Sequence, residues 1–177
     1  MEPWIWLVII GVIFALSIGI LVWIIVVSNK LVILKNAVDR NFPVINSKIK
    51  QYCEKTNQLV DYIDKKEGKH SKKSKTLKAE VKACLETDGM VNRAIAQKEI
   101  AAQVLEYIKE KSTIPALKKS KNILTFAREL DELQEQLNNA IEKYNVCVGR
   151  YNKLRESFPS NIISERFKFG ARNQWNV

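Results

Sequence analysis

Glycine and proline are scarce in this chain, 6 and 4 among 177 residues, so a turn-rich β architecture lacks its punctuation and a helical protein is expected. The one histidine, His70, falls in a lysine run with no cysteine beside it, which leaves a zinc site without a ligand set. Cys53, Cys84 and Cys147 are odd in number, show no metal-like pairing and fall on or beside apolar helix faces; small core fillers in a reducing compartment are expected. No glycine-rich phosphate loop, no His-Glu-x-x-His pair and no nucleophile elbow occurs. A base, a nucleophile and a cluster to hold them in reach are all wanting, so the chain reads as not an enzyme, with no cofactor, metal or small-molecule substrate. The acidic run ELDELQEQ at 129–136 is interleaved with seam leucines and reads as a solvated helix face.

Charge is missing altogether from Trp4 to Val27, 24 positions that rise roughly 36 Å as a helix against a hydrocarbon core of about 30 Å. Trp4, Trp6 and Trp23 lie near the two ends, where indoles favour the interface. The start carries Glu2 and no basic residue, and no small-residue cleavage site comes after it, which separates this segment from a secretory signal. Lys30, Lys35, Arg40, Lys48 and Lys50 lie just beyond, so a single-pass anchor is expected with the N-terminus outside and the rest of the chain in the cytoplasm. Gly11, Ala15 and Gly19 line one face of the anchor as a candidate self-association seam, or reflect how common small residues are in membrane helices.

Beyond the anchor, Val38, Phe42, Ile45, Ile49, Tyr52, Thr56, Leu59 and Ile63 alternate steps of four and three, one buried helical stripe. Pro43 within it predicts a kink or restart near Asn41; the absence of Gly or Pro between Gly19 and Pro43 lets the anchor run directly into this helix. DKKEGKHSKKSK, 64–75, holds six lysines and no apolar residue and reads as an exposed turn. A middle stretch from about 74 to 111 comes next, with a break suggested at Thr87–Gly89 and an end at Pro115. From 121 to 158, Ile123, Phe126, Leu130, Leu133, Leu137, Ala140, Tyr144, Cys147, Tyr151, Leu154 and Phe158 fill a coiled-coil-like seam of five heptads.

The expected fold is therefore all-α: an N-terminal transmembrane helix (1–28), an up-and-down antiparallel bundle of three long helices (29–158), the middle one continuous or broken into two, and an amphipathic tail (159–177). Three long helices would put the 64–75 turn and Phe158 at the distal end and return Pro115–Lys121 to the bilayer. Lys30, Lys35, Lys118, Lys119 and Lys121 are then candidate lipid-facing residues, a reading that suits the net charge of +10. Specific nucleic-acid binding is not expected, because the lysines lie in a loop without interleaved aromatics and no recognition motif occurs.

The most deliberately spaced stretch is YNVCVGRYNKLRESFPSN, 144–161. Tyr144 and Tyr151 share the seam, so their rings are expected to be packed. Asn145 and Asn152 flank it, positioned to hydrogen-bond a neighbouring helix or to bind a partner, with the structural role expected because polar groups at a buried edge must be satisfied. Pro159 biases Phe158 away from helix, and Ser160 or Asn161 is placed to cap the next segment. These eight residues form a candidate interaction or bundle-end motif. The tail at 162–175 alternates Ile162, Ile163, Phe167, Phe169 and Trp175 with Arg166, Lys168 and Arg172; it either lies on lipid or folds back over the bundle.

NKLVILKNAVDRNF at 29–42, IPALKKSKNIL at 114–124 and YNVCVGRYNKLRESFPSNII at 144–163 together resemble the LemA family of bacterial membrane proteins. The family's Ile-Pro-Asn-Leu-Val segment stands here as Thr56-Asn57-Gln58-Leu59-Val60, without the proline. The resemblance implies an anchored helical bundle in the bacterial inner membrane, supplies no catalytic residues, and favours a scaffold role with a protein partner or a homo-oligomer. The alternative is a lipid-binding organiser of the membrane surface that uses the basic loops and the tail.

Overall fold

The structure, a computed structural model, describes residues 3–68, 70–114 and 121–175. Its elements are α1 (Pro3–Glu67), α2 (Lys72–Glu86), α3 (Met90–Ser112), α4 (Lys121–Glu156) and α5 (Ser160–Arg166), with no strand among the described residues. The all-α architecture with a long apolar N-terminal helix is as the sequence predicts.

α1 runs unbroken for 65 residues with Pro43 inside it, so of the kink or restart expected near Asn41 the restart does not occur. A mid-helix proline removes a donor and crowds the carbonyl of Asp39 at a cost of about 3 kcal/mol. Burial of Val38 before it and of Ile45 and Ile49 after it keeps the stripe in register across the proline. Packing of the amphipathic face, which supplies most helix stability in proteins, outweighs the local defect.

The chain forms two compact units, one of residues up to Arg40 with Val146–Gln174, the other of Asn41–Asn145 with Trp175. The division cuts through α1 and α4. In the second unit four helical segments alternate in direction. Arg93 at the start of α3 donates to Asn46, whereas Lys111 at its end pairs with Glu67 at 2.7 Å; α3 therefore runs parallel to α1. α2 precedes it in the opposite sense, placing Ser74 and Lys78 against Asp64. α4 descends again: Asn122 contacts Tyr62, Glu129 pairs with Lys55 and Gln136 bonds Lys48, steps of seven residues in both helices. That is the spacing of facing antiparallel heptads.

The middle stretch is broken in two, one of the two forms the sequence allows. The break at Gly89 is a hairpin: Gly89 takes φ +90°, which an L side chain adopts only with strain, and Arg93 Nε and Nη2 clamp the Thr87 carbonyl at 3.2 and 2.8 Å. One added reversal inverts α4, so Lys121 opens that helix near Tyr62, at the C-terminal end of α1. The connection expected to return to the bilayer, 115–120, lies outside the described residues. The lysine-rich turn also differs from a wholly exposed one. Asp64 is only 4% exposed and accepts Ser74 Oγ at 2.6 Å, while Ser71 caps α2 by accepting the Ser74 N–H at 3.0 Å.

In the first unit the uncharged run of α1 is exposed, Leu7, Phe14 and Leu16 included, and it is the one segment among the described residues long and apolar enough to cross a membrane. Burial resumes at Val27, Leu31 and Val38, in the unit that also buries Val148, Tyr151 and Ile163.

Candidate functional site

α4 carries two adjacent stripes near its C-terminal end. Tyr144, Val148 and Tyr151 are buried; Asn145, Gly149 and Asn152, one position on, are only partly covered by protein. Neighbours at i, i+4 and i+7 share a face. Gly149 lies against the tail: a Cβ there would meet the Gln174 amide at 3.6 Å, an ordinary van der Waals contact.

The tail returns along this stripe. α5 ends in a Schellman motif: Phe169 N–H donates to the Ser164 carbonyl at 2.8 Å and Lys168 N–H to Glu165 at 3.2 Å, with Lys168 in the left-handed region at φ 56°. Tyr151 Oη then donates to the Gly170 carbonyl at 2.8 Å. Asn152 donates to the Arg172 carbonyl at 2.7 Å and accepts the Arg172 N–H at 3.1 Å. Asn145 does the same to Trp175, at 3.0 and 2.6 Å, and the Trp175 ring meets Tyr144 edge-on at 6.5 Å. Each asparagine amide thus pairs with the N–H and C=O of one residue, as one strand residue pairs with another.

The spacing of the motif has a geometric cause. Seven residues of helix advance about 10 Å, and three residues of extended chain, from Arg172 to Trp175, also advance about 10 Å. The seven-residue step on α4 and the three-residue step on the tail therefore set both clasps in register. Both tyrosine rings are buried, and both asparagine amides hydrogen-bond within the chain. What the sequence did not reveal is the partner: the tail backbone, not another helix.

Other expectations are corrected. Phe158 leaves the seam and is 82% exposed, because α4 ends at Glu156 and the heptad register ends with it. Neither Ser160 nor Asn161 caps α5 through its side chain, since the Ser157 carbonyl takes the Asn161 N–H at 2.9 Å. Pro159 follows a cis peptide bond and precedes the helix. Ser164, unremarked in the sequence, donates to the Arg155 carbonyl at 2.8 Å and ties α5 to α4. Gly11, Ala15 and Gly19 are exposed, with nothing among the described residues near a Cβ placed on either glycine. Lys30 and Lys121 are exposed, Lys35 is half-buried, and Lys118 and Lys119 lie outside the described residues.

The docked tail closes one side of a pocket of about 300 Å³ lined by Lys35, Tyr151, Phe167, Lys168, Phe169 and Arg172. Arg172 also reaches Asp39 at 2.9 Å. Burial raises the Tyr151 phenol above its usual range, against the opposing pull of Arg172 and Arg155, so it serves as a neutral donor to Gly170.

The LemA family profile matches residues 41–177, from the second half of α1 through the docked tail. The chain belongs to the LemA family. No curated protein and no solved structure gives a match. The LemA match contains the whole Tyr-Asn repeat and the tail residues it holds, and it begins after the apolar run of α1.

Proposed function

We propose that this LemA-family protein is a non-enzymatic, membrane-anchored scaffold. The apolar run of α1 crosses the bacterial inner membrane with its N-terminus outside, and the bundle in the cytoplasm offers its surface to a protein partner or to another copy of the chain. The observation that supports this reading is the fate of the most distinctive polar residues: Asn145, Tyr151 and Asn152 are occupied in holding the tail backbone. Their hydrogen-bonding capacity goes into shaping a platform rather than into handling a substrate.

Crosslinking in the native membrane, with identification of the products, tests the proposal. A homotypic ladder or one reproducible heterologous partner is expected; products limited to lipids and abundant neighbours contradict it. A second reading, a lipid-binding organiser of the membrane surface, is favoured by one specific feature, the cationic pocket under the tail.

A further inference from the structure

We propose that the pocket bounded by Lys35, Lys168 and Arg172 binds the phosphate of an anionic phospholipid headgroup from the bilayer that α1 enters. The proposal rests on the reading that the apolar run of α1 spans that bilayer.

Three cations surround the pocket, and only Arg172 has an ion-pair partner among the described residues, one guanidinium nitrogen on Asp39 at 2.9 Å. Two of the wall carbonyls already accept a side-chain hydrogen bond, Gly170 from Tyr151 and Arg172 from Asn152. What the walls leave open is positive charge and donor N–H groups, which suit a phosphodiester.

Lys168 adds an independent indication. It occupies the left-handed position of the Schellman turn, where glycine is the favoured residue and any Cβ is disfavoured. Backbone strain retained at a pocket wall points to a use for the side chain, here an ammonium group beside the cavity.

Location and size choose the source of the phosphate. Lys35 lies eight residues past Val27, roughly 12 Å along α1, and helical side chains tilt back toward the N-terminus, here toward the bilayer. Val32 and Ile33, both exposed, extend the apolar surface almost to it. A volume of about 300 Å³ is at the small end for ligand pockets and fits a headgroup rather than a whole lipid. Phe167 on the wall and Ile162 on α5, each 58% exposed, provide apolar surface for the glycerol and upper acyl region.

The test uses the full chain reconstituted into phosphatidylcholine vesicles that carry a trace of phosphatidylglycerol with a photoreactive group at the carbonyl end of one acyl chain. Adducts are expected on the 167–172 segment and near Lys35, displaced by unlabelled phosphatidylglycerol but not by glycerol 3-phosphate in solution. Lys168→Gly should reduce labelling roughly fivefold and Lys35→Gln with Lys168→Gly roughly 25-fold, as expected for loss of one and two charges near an anionic headgroup. Because Lys168→Gly relieves the left-handed backbone, its melting temperature should equal or exceed that of the parent, separating lost binding from lost folding. Unchanged labelling in the double variant, equal labelling by a photoreactive phosphatidylcholine, or full displacement by glycerol 3-phosphate overturns the proposal. Carbonate extraction and flotation are scored on the same samples. A chain that fails to insert overturns the spanning reading and the pocket with it, whereas an inserted chain without tail adducts overturns the pocket alone.

Discussion

Asn152 grips Arg172 by both of its backbone polar groups, donating to the carbonyl at 2.7 Å and accepting the N–H at 3.1 Å. Replacing it with alanine removes both bonds, each worth about 1 kcal/mol, and should lower the melting temperature of the detergent-solubilised chain by roughly 4–8 °C. Asn152→Asp keeps the acceptor but sets a carboxylate oxygen against the Arg172 carbonyl, so it should not rescue. Circular dichroism melts of the two variants check this; a stable aspartate variant contradicts the paired geometry.

Tyr151 separates packing from hydrogen bonding. Its ring is buried and its hydroxyl donates to Gly170 at 2.8 Å. Tyr151→Phe should cost about 1 kcal/mol, and Tyr151→Ala about 3–5 kcal/mol through the cavity it leaves. Denaturant unfolding of both variants measures the split, and equal losses would mean that the ring contributes nothing beyond its hydroxyl.

The repeat itself was legible in the sequence, and so were the buried tyrosines, because a step of seven on an apolar seam fixes a helix face whatever the neighbours are. The partner of Asn145 and Asn152 was not, since nothing in the composition of 169–175 signals that an extended segment will supply peptide groups at matching intervals. The direction of α4 was missed for a different reason. Gly89 gave the break, but periodicity cannot tell a break from a reversal, and the contact of Arg93 with Asn46 joins residues far apart in sequence. The cluster around Asp64 was hidden by its own composition: a run of lysines reads as solvated, and only the fold shows one aspartate turned inward to Ser74, His70 and Lys78.

That cluster predicts a pH dependence. Burial alone would raise the Asp64 carboxyl, but hydrogen bonds from Ser74, His70 and Lys78, with the charge of Lys78, outweigh it and hold the group below its usual value. A carboxyl depressed in the folded state contributes stability that is present above the unfolded value, about 3.9, and is lost as pH falls through the lower folded value. Melting curves collected as the pH is lowered below about 4 should therefore fall more steeply for the parent chain than for Asp64→Asn, which should be less stable at neutral pH. Parallel curves would exclude Asp64 as a contributor.

Lys111 and Glu67 form the most enclosed ion pair among the described residues, with side chains 6% and 9% exposed and bonds of 2.7 and 2.8 Å. Lys111→Met strands the carboxylate and should cost about 3–5 kcal/mol, while Lys111→Met with Glu67→Leu should recover most of it, because two buried charges repay little more than their own desolvation. A double-mutant cycle by urea unfolding decides; additive losses contradict a coupled pair.

Amide hydrogen exchange at Arg172 and Trp175 tests the clasp most directly, since both N–H groups donate to the asparagines of the repeat. In the parent chain both amides should exchange slowly, and Asn145→Ala with Asn152→Ala should speed them by about tenfold or more while Leu137 in mid-α4 stays protected. Tail amides that exchange freely in the parent, or at the same slow rate in the variant, would contradict the assignment of the Tyr-Asn repeat to holding the tail.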